Sequence, residues 1–183
     1  RLHNRETEQT QIALGIRTCS RHDDRRFALR LLSVILGENM SSRLFQVVRE
    51  DNGLAYSICS NVSSFDDGGA LIISAGVETT KLEKALKLII GELAVLVEQT
   101  PSVSELRRAR DYVFGQLDLS MENTENQMTW LGEQYLGYGN IISPDEVKAR
   151  MSEVRPRDVR AAARDFFRPE RLSLALVSPR ADT

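Results

Sequence analysis

A chain of 183 residues with 42% hydrophobic and 27% charged side chains has the length of one domain and the composition of an ordinary soluble globule. Its formal charge of −2 gives no electrostatic reason to expect nucleic acid or anionic lipid as partner, and no apolar run approaches the roughly 20 residues of a membrane span. Two cysteines, Cys19 and Cys59, and two histidines, His3 and His22, form neither a metal signature nor a disulfide framework.

The chain begins Arg1-Leu2-His3 without a methionine and reads as a piece of a longer protein. Residues 1–8 are polar and read as an extended or disordered tail, 9–179 as a single domain, and 180–183 as a second tail. Ile12, Leu14 and Ile16 alternate with more polar neighbours and mark a first strand. Asp23 or Asp24 then caps a helix over 25–36, apolar on most sides through Phe27, Leu31, Leu32 and Ile35. Ser41 or Ser42 is the expected cap of a short helix carrying Leu44, Phe45, Val47 and Val48, and Asn52-Gly53 stops it. Leu54, Tyr56 and Ile58 then alternate with Ala55, Ser57 and Cys59, which is strand periodicity. The strand runs on through Val62, turns at Asp66-Asp67-Gly68-Gly69, and returns over 70–77.

Four or five helices follow without a strand. Thr80 to Glu83 reads as a capping box, ahead of a stripe of Leu82, Leu86, Ile89, Leu93 and Leu96. Ser102 to Glu105 caps the next helix, which presents Leu106, Val113 and Leu117. Met128, Leu131 and Tyr135 mark a third that fades at Gly137-Tyr138-Gly139. Ser143 with Pro144 and Glu146 starts a fourth, and a fifth carries Val159, Ala163 and Phe166. Leu172, Leu174 and Leu176 form a last strand. Strands and helices are grouped rather than alternating. That predicts an α+β domain with a mostly antiparallel, four-stranded sheet covered on one face by helices.

The chemistry is sparse. His22 lies in a loop beside two aspartates and reads as solvated, and His3 lies in the tail. Asp111, Glu122 and Glu125 read as solvated charges on outer helix faces. Gly68-Gly69 reads as hairpin turn chemistry rather than a phosphate cradle. Cys19 and Cys59 read as buried free thiols, with one disulfide open if their strands are neighbours. Arg49 and Tyr56 fall at the last turn of the short helix and the start of the strand. The plainer reading of that pair is structural: an arginine capping a helix C-terminus and a tyrosine half in the core.

The segment LGENMSSRLFQVVREDNGLAYSI, residues 36–58, closely resembles the signature of the C-terminal, non-metal-binding domain of the pitrilysin/insulinase family of zinc metallopeptidases, which includes the mitochondrial processing peptidases. The likeness extends over nearly the whole chain. It implies a half-enzyme: two similar domains enclose a chamber, and the N-terminal one carries a His-x-x-Glu-His zinc motif absent here. No cofactor is then expected in this chain, and zinc is expected on the partner domain or subunit. The resemblance assigns Arg49 and Tyr56 to the site as catalytic donors in trans. Peptide hydrolysis builds negative charge on the carbonyl oxygen, and such donors stabilise it, each worth about 3–4 kcal/mol. Peptides or short unfolded segments are the substrates this implies. The alternative within the family is a non-catalytic scaffold or the inactive half of a heterodimer. The absence of a disulfide pattern favours the cytoplasm.

Overall fold

The computed structural model describes residues 9–179 and the backbone of residues 2–4. Its strands are β1 (Leu2–Asn4), β2 (Thr10–Thr18), β3 (Ala55–Ser64), β4 (Gly69–Val77) and β5 (Leu172–Ser178). Its helices are α1 (Arg25–Ser33), α2 (Leu82–Glu98), α3 (Val103–Met121), α4 (Thr124–Tyr138), α5 (Pro144–Glu153) and α6 (Pro156–Phe166). Two π-helical segments, Val34–Glu38 and Phe45–Glu50, lie between α1 and β3.

Alternation decides the sheet. On β2, Ile12, Leu14 and Ile16 are buried while Gln11, Ala13 and Arg17 are exposed. On β4, Leu71, Ile73 and Ala75 are buried while Ile72 and Ser74 are exposed. The buried set meets α1, α2 and α6, whose Leu31, Leu32, Ile89, Val159 and Phe166 close the core. The other face of the sheet is open. The strand order is β1-β5-β2-β4-β3, and from β5 to β3 each strand is antiparallel to its neighbour. This is the α+β architecture with a four-stranded antiparallel sheet that grouping of strands and helices predicts. The last strand enters between the two N-terminal ones and ties both ends of the chain to one core.

One edge strand escapes the sequence pattern. β1 pairs in parallel with β5, Leu2 opposite Leu176 and Asn4 opposite Ser178. Three residues are too few to show a period. The remainder of the expected tails, residues 1, 5–8 and 180–183, lies outside the described residues, as does the side chain of His3. Among the described residues no helix is long and apolar enough to cross a membrane.

Helix starts follow the sequence at three places. Ser102 and Glu105 form a reciprocal capping box, with the Glu105 amide donating to Ser102 Oγ at 3.1 Å and the Ser102 amide to Glu105 Oε2 at 2.9 Å. Ser143 accepts from the Glu146 amide at 3.1 Å, and Asp23 accepts from the Arg25 amide at 2.8 Å. At two places they differ. The box expected over 80–83 does not form: Thr79–Lys81 is a 3₁₀ turn, and Thr80 spends its hydroxyl donating to Glu78 at 2.7 Å. Neither Ser41 nor Ser42 accepts from a first-turn amide. Asn39 Oδ1 instead accepts from the amide and hydroxyl of Ser41 at 2.9 and 2.8 Å, and Ser42 Oγ donates to the Asn39 carbonyl at 2.5 Å. An asparagine turn ahead of the helix has displaced the serine cap.

Gly37 sits where the first π-helical segment presses on β3. A Cβ there would lie 2.8 Å from the Ser60 amide nitrogen and 2.8 Å from Ser60 Oγ. Ser60 cannot retreat, because its hydroxyl donates to the buried Ser33 carbonyl at 2.8 Å. Gly91, inside α2, has no atom within 4 Å of its Cβ position. Opposite signs follow. Gly37→Ala is expected to destabilise by about 1–3 kcal/mol through overpacking. Gly91→Ala is expected to stabilise by about 0.5–1 kcal/mol through lower chain entropy in the unfolded state. Urea midpoints of the two variants check both.

Candidate functional site

The segment Phe45–Glu50 buries Val48, with Leu44 just ahead of it fully buried. Its C-terminal carbonyls are satisfied locally. Asn52 Nδ2 donates to the Val47 carbonyl at 2.8 Å, the Gly53 amide to Arg49 O at 3.0 Å, and the Leu54 amide to Val48 O at 2.9 Å. Gly53 holds φ at 56°, the left-handed geometry that closes a helix end at no steric cost to glycine. Arg49 is therefore not needed as a cap. Its guanidinium lies over the ring of Phe45, 4.9 Å from the centroid, with Glu50 at 3.9 Å, and its side chain is 44% exposed.

Tyr56 departs from plain alternation, which puts it with Leu54 and Ile58. Ala55 pairs with Val77 and Ser57 with Gly76, consecutive residues of β4, so Tyr56 is the extra residue of a β-bulge. Ala55 and Ile58 are buried while Tyr56 and Ser57 both face outward, Tyr56 at 62% exposure. Its hydroxyl has no hydrogen-bond partner among the described residues. Lys81 is its charged neighbour. Glu78, 2.8 Å from the Lys81 ammonium, raises that group's pKa, and Tyr56 adds a smaller electrostatic contribution in the same direction. Both residues of the pair thus stand on open surface on either side of one helix-to-strand turn, and neither enters the core.

The sequence reading missed Arg43, which holds this turn in place. Its Nε and Nη2 donate to the two Glu105 oxygens at 3.0 and 3.3 Å, and Glu92 lies 3.9 Å away. Arg43 thereby joins the short helix to α2 and to the start of α3. All three side chains are about four-fifths buried. Burial pushes the Glu105 carboxyl up, but bonds from Arg43 and the Ser102 amide outweigh it and hold the group below its ordinary 4.5. Glu92 goes the other way: burial raises it, the nearby Glu105 adds to the rise, and Arg43 offsets only part. The signal was legible only as a charged residue inside an otherwise apolar helix face.

His22 is half exposed, with Asp66 at 3.5 Å and Tyr138 edge-on at 5.6 Å between centroids. Asp111, Glu122 and Glu125 are exposed. Cys19 is buried, and burial raises its thiol pKa. Cys59 corrects the expectation of two buried thiols. It faces outward opposite Ser74, because the odd positions of β3 beyond the bulge line the open face. Among the described residues no cluster of three or more His, Cys, Asp and Glu is placed to hold a metal ion, so the described residues do not fit a zinc site.

Many solved chains share this helix-backed antiparallel fold. The family model described as the peptidase M16 inactive domain matches residues 1–113. The chain is 39% identical over 181 residues to an uncharacterized zinc protease of Streptomyces coelicolor, covering 99% of this chain and 39% of that protein. It is 37% identical over 175 residues to one of Bacillus subtilis, covering 96% and 42%. A solved peptidase M16 inactive domain from Pseudomonas fluorescens superposes with a TM-score of 0.88 at 21% identity, over 100% of this chain and 44% of that one. A protease from Helicobacter pylori does so with a TM-score of 0.89 at 19% identity, over 98% and 43%. The chain belongs to the peptidase M16 inactive-domain family. It spans about two fifths of the length of the curated relatives it matches.

The Arg43 clamp predicts a pH-dependent stability. Glu105 is depressed in the folded state, so its contribution is present above the unfolded value near 4.5 and is lost as pH falls through the lower folded value. Glu105→Gln keeps the capping geometry and removes the charge. It is expected to cost roughly 1–2 kcal/mol at neutral pH, a difference that closes as acid protonates the wild-type carboxyl. Urea unfolding of both proteins across the acid range measures it.

Proposed function

We propose that this chain is the non-metal-binding half of a zinc-dependent peptidase and that Arg49 and Tyr56 act on a substrate held against a second, zinc-bearing domain or subunit. The observation that carries this is the pair's release from structural duty. Asn52 and Gly53 satisfy the helix end that Arg49 would cap, and the bulge turns Tyr56 out of the core.

Each side chain has chemistry suited to the task. The guanidinium is permanently charged and offers several N–H donors in one plane. The phenol offers a single O–H donor on a rigid ring. Aimed at a peptide carbonyl, the two would hold the substrate backbone in register and stabilise charge that develops on its oxygen. Phe45 beneath Arg49 limits where the guanidinium swings, so part of its ordering cost is met before a substrate arrives. The zinc-bearing half supplies the hydrolytic centre, and the names of the relatives accord with that division. Peptides and unfolded segments are the substrates, since only an extended chain exposes its backbone carbonyls to such donors.

The test is complementation of this chain with the zinc-bearing half of its parent, followed by cleavage of an unfolded peptide. Arg49→Ala and Tyr56→Phe are each expected to lower kcat about 10²–10³-fold. Both residues are exposed, so both variants should unfold within about 0.5 kcal/mol of the wild type. Undiminished cleavage in both variants would count against the proposed roles and leave the chain as a scaffold subunit.

A further inference from the structure

At the end of the sheet remote from Tyr56, three segments close around a cavity of about 470 Å³. β2 brings Arg17 and Thr18, the β3–β4 turn brings Gly69, and the connection from α6 to β5 brings Arg168 and Arg171. Tyr56 adjoins the Ala55–Val77 rung, whereas Gly69 opens the same strand. Eight residue steps of β4 separate them, about 27 Å at the usual rise. The cavity is thus distinct from the proposed peptide site, and nothing about it depends on that reading.

Its guanidiniums are under-used. Arg17 and Arg171 form no ion pair among the described residues. Arg171 donates to the Arg17 carbonyl at 3.3 Å and stands 5.7 Å over the Phe166 ring. Arg168 has only Asp165 at 3.8 Å and donates to the Arg164 carbonyl at 3.2 Å. Asp67 and Glu170 share the wall without forming an ion pair with these arginines, so the lining keeps one net positive charge. Thr18, next to Arg17 on β2, turns to the opposite, helix-covered face of the sheet. It is 8% exposed, and its Oγ1 is buried without a hydrogen-bond partner. Gly69 is packed against that hydroxyl: a Cβ there would lie 2.8 Å from Thr18 Oγ1 and 2.4 Å from the Cys19 carbonyl oxygen.

The geometry points to an anion subsite for a phosphoryl group, gripped by Arg17 and Arg171 with Arg168 in support. Each guanidinium offers five N–H donors in a fork that matches two oxygens at once. A phosphoryl group brings three strong acceptor oxygens to such a set, whereas a lone carboxylate brings two. Gly68-Gly69 remains turn chemistry, with the Phe65 amide donating to the Gly68 carbonyl at 2.8 Å. The anion contacts come from side chains that the fold gathers, not from a glycine cradle. With Asp67 and Glu170 beside it, the site takes a phosphoryl group with modest affinity.

Titration of the purified chain with pyrophosphate at fixed ionic strength tests this, read by phosphorus NMR line broadening and by calorimetry. Citrate and ATP serve as separate arms. Saturable one-to-one binding of pyrophosphate is expected, weakened about tenfold in Arg17→Ala and in Arg171→Ala. Arg17→Lys, which keeps the charge and loses the fork, should fall between. Should Arg171→Ala fail to fold, the exposed Arg17 side chain carries the test alone. ATP binding with the same dependence on Arg17 would support the assignment and identify a nucleotide as the source of the phosphoryl group. Absence of saturable pyrophosphate binding, binding indifferent to these substitutions, or citrate binding as tightly as pyrophosphate would overturn it.

Discussion

Ala55 and Ser57 occupy consecutive rungs of the β3–β4 ladder, so Tyr56 between them has none of its own. The extra residue shifts the phase of the strand. Without it the alternation that buries Leu54 and Ile58 would bury Tyr56 as well. With it, Ala55 takes the inward place and the phenol turns out. Bulges occur where a strand must re-aim one side chain without losing its ladder. Here the ladder resumes at Ser57–Gly76 and continues to Ser64–Gly69, so one outward tyrosine costs the sheet a single rung.

The turn leading into that strand is held from two directions. Locally, Asn52, Gly53 and Leu54 consume the carbonyls of the π-helical end. At longer range, Arg43 reaches the first turn of α3 through Glu105 and approaches Glu92 on α2. A buried ion pair of this kind is a doubtful source of net stability, since desolvation offsets much of the attraction. Its stronger contribution is positional. With two carboxylates opposite one guanidinium, Glu92 is the member that burial disfavours and Glu105 the member that Arg43 secures. The helix carrying Arg49 is anchored to the helical layer by Glu105.

The nine-residue strands act as a spacer between two ends of different character. One end carries Arg49, Tyr56 and Lys81, the other the arginine-lined cavity at the hairpin tip. Helices back one face of the sheet between them, and the opposite face presents Ala13, Ile72, Ser74 and Cys59 outward. The open sheet face and the two outward donors at its edge are the features on which the proposed function rests.

The fold class was legible because it rests on local periodicity. Every-second-residue burial on β2 and β4, and the caps at Ser102 and Ser143, are set by residues within a few positions of one another. The family likeness was legible for the same reason, being carried by one contiguous run from Leu36 to Ile58. Where a neighbour in space competes, the sequence alone misleads. Thr80 turned to Glu78 instead of capping α2, and Asn39 displaced the serine cap. The outward turn of Tyr56 required the β4 partner to reveal the extra residue, and the role of Arg43 required Glu105, 62 residues away. Sequence by itself determined the alternation of β2 and β4, the helix starts at Ser102 and Ser143, and that Arg49 and Tyr56 flank one turn. Only the tertiary structure decided which way those two side chains face and which arginines share a cavity, because a rung, a clamp and a pocket each need a second segment that no local pattern can contain.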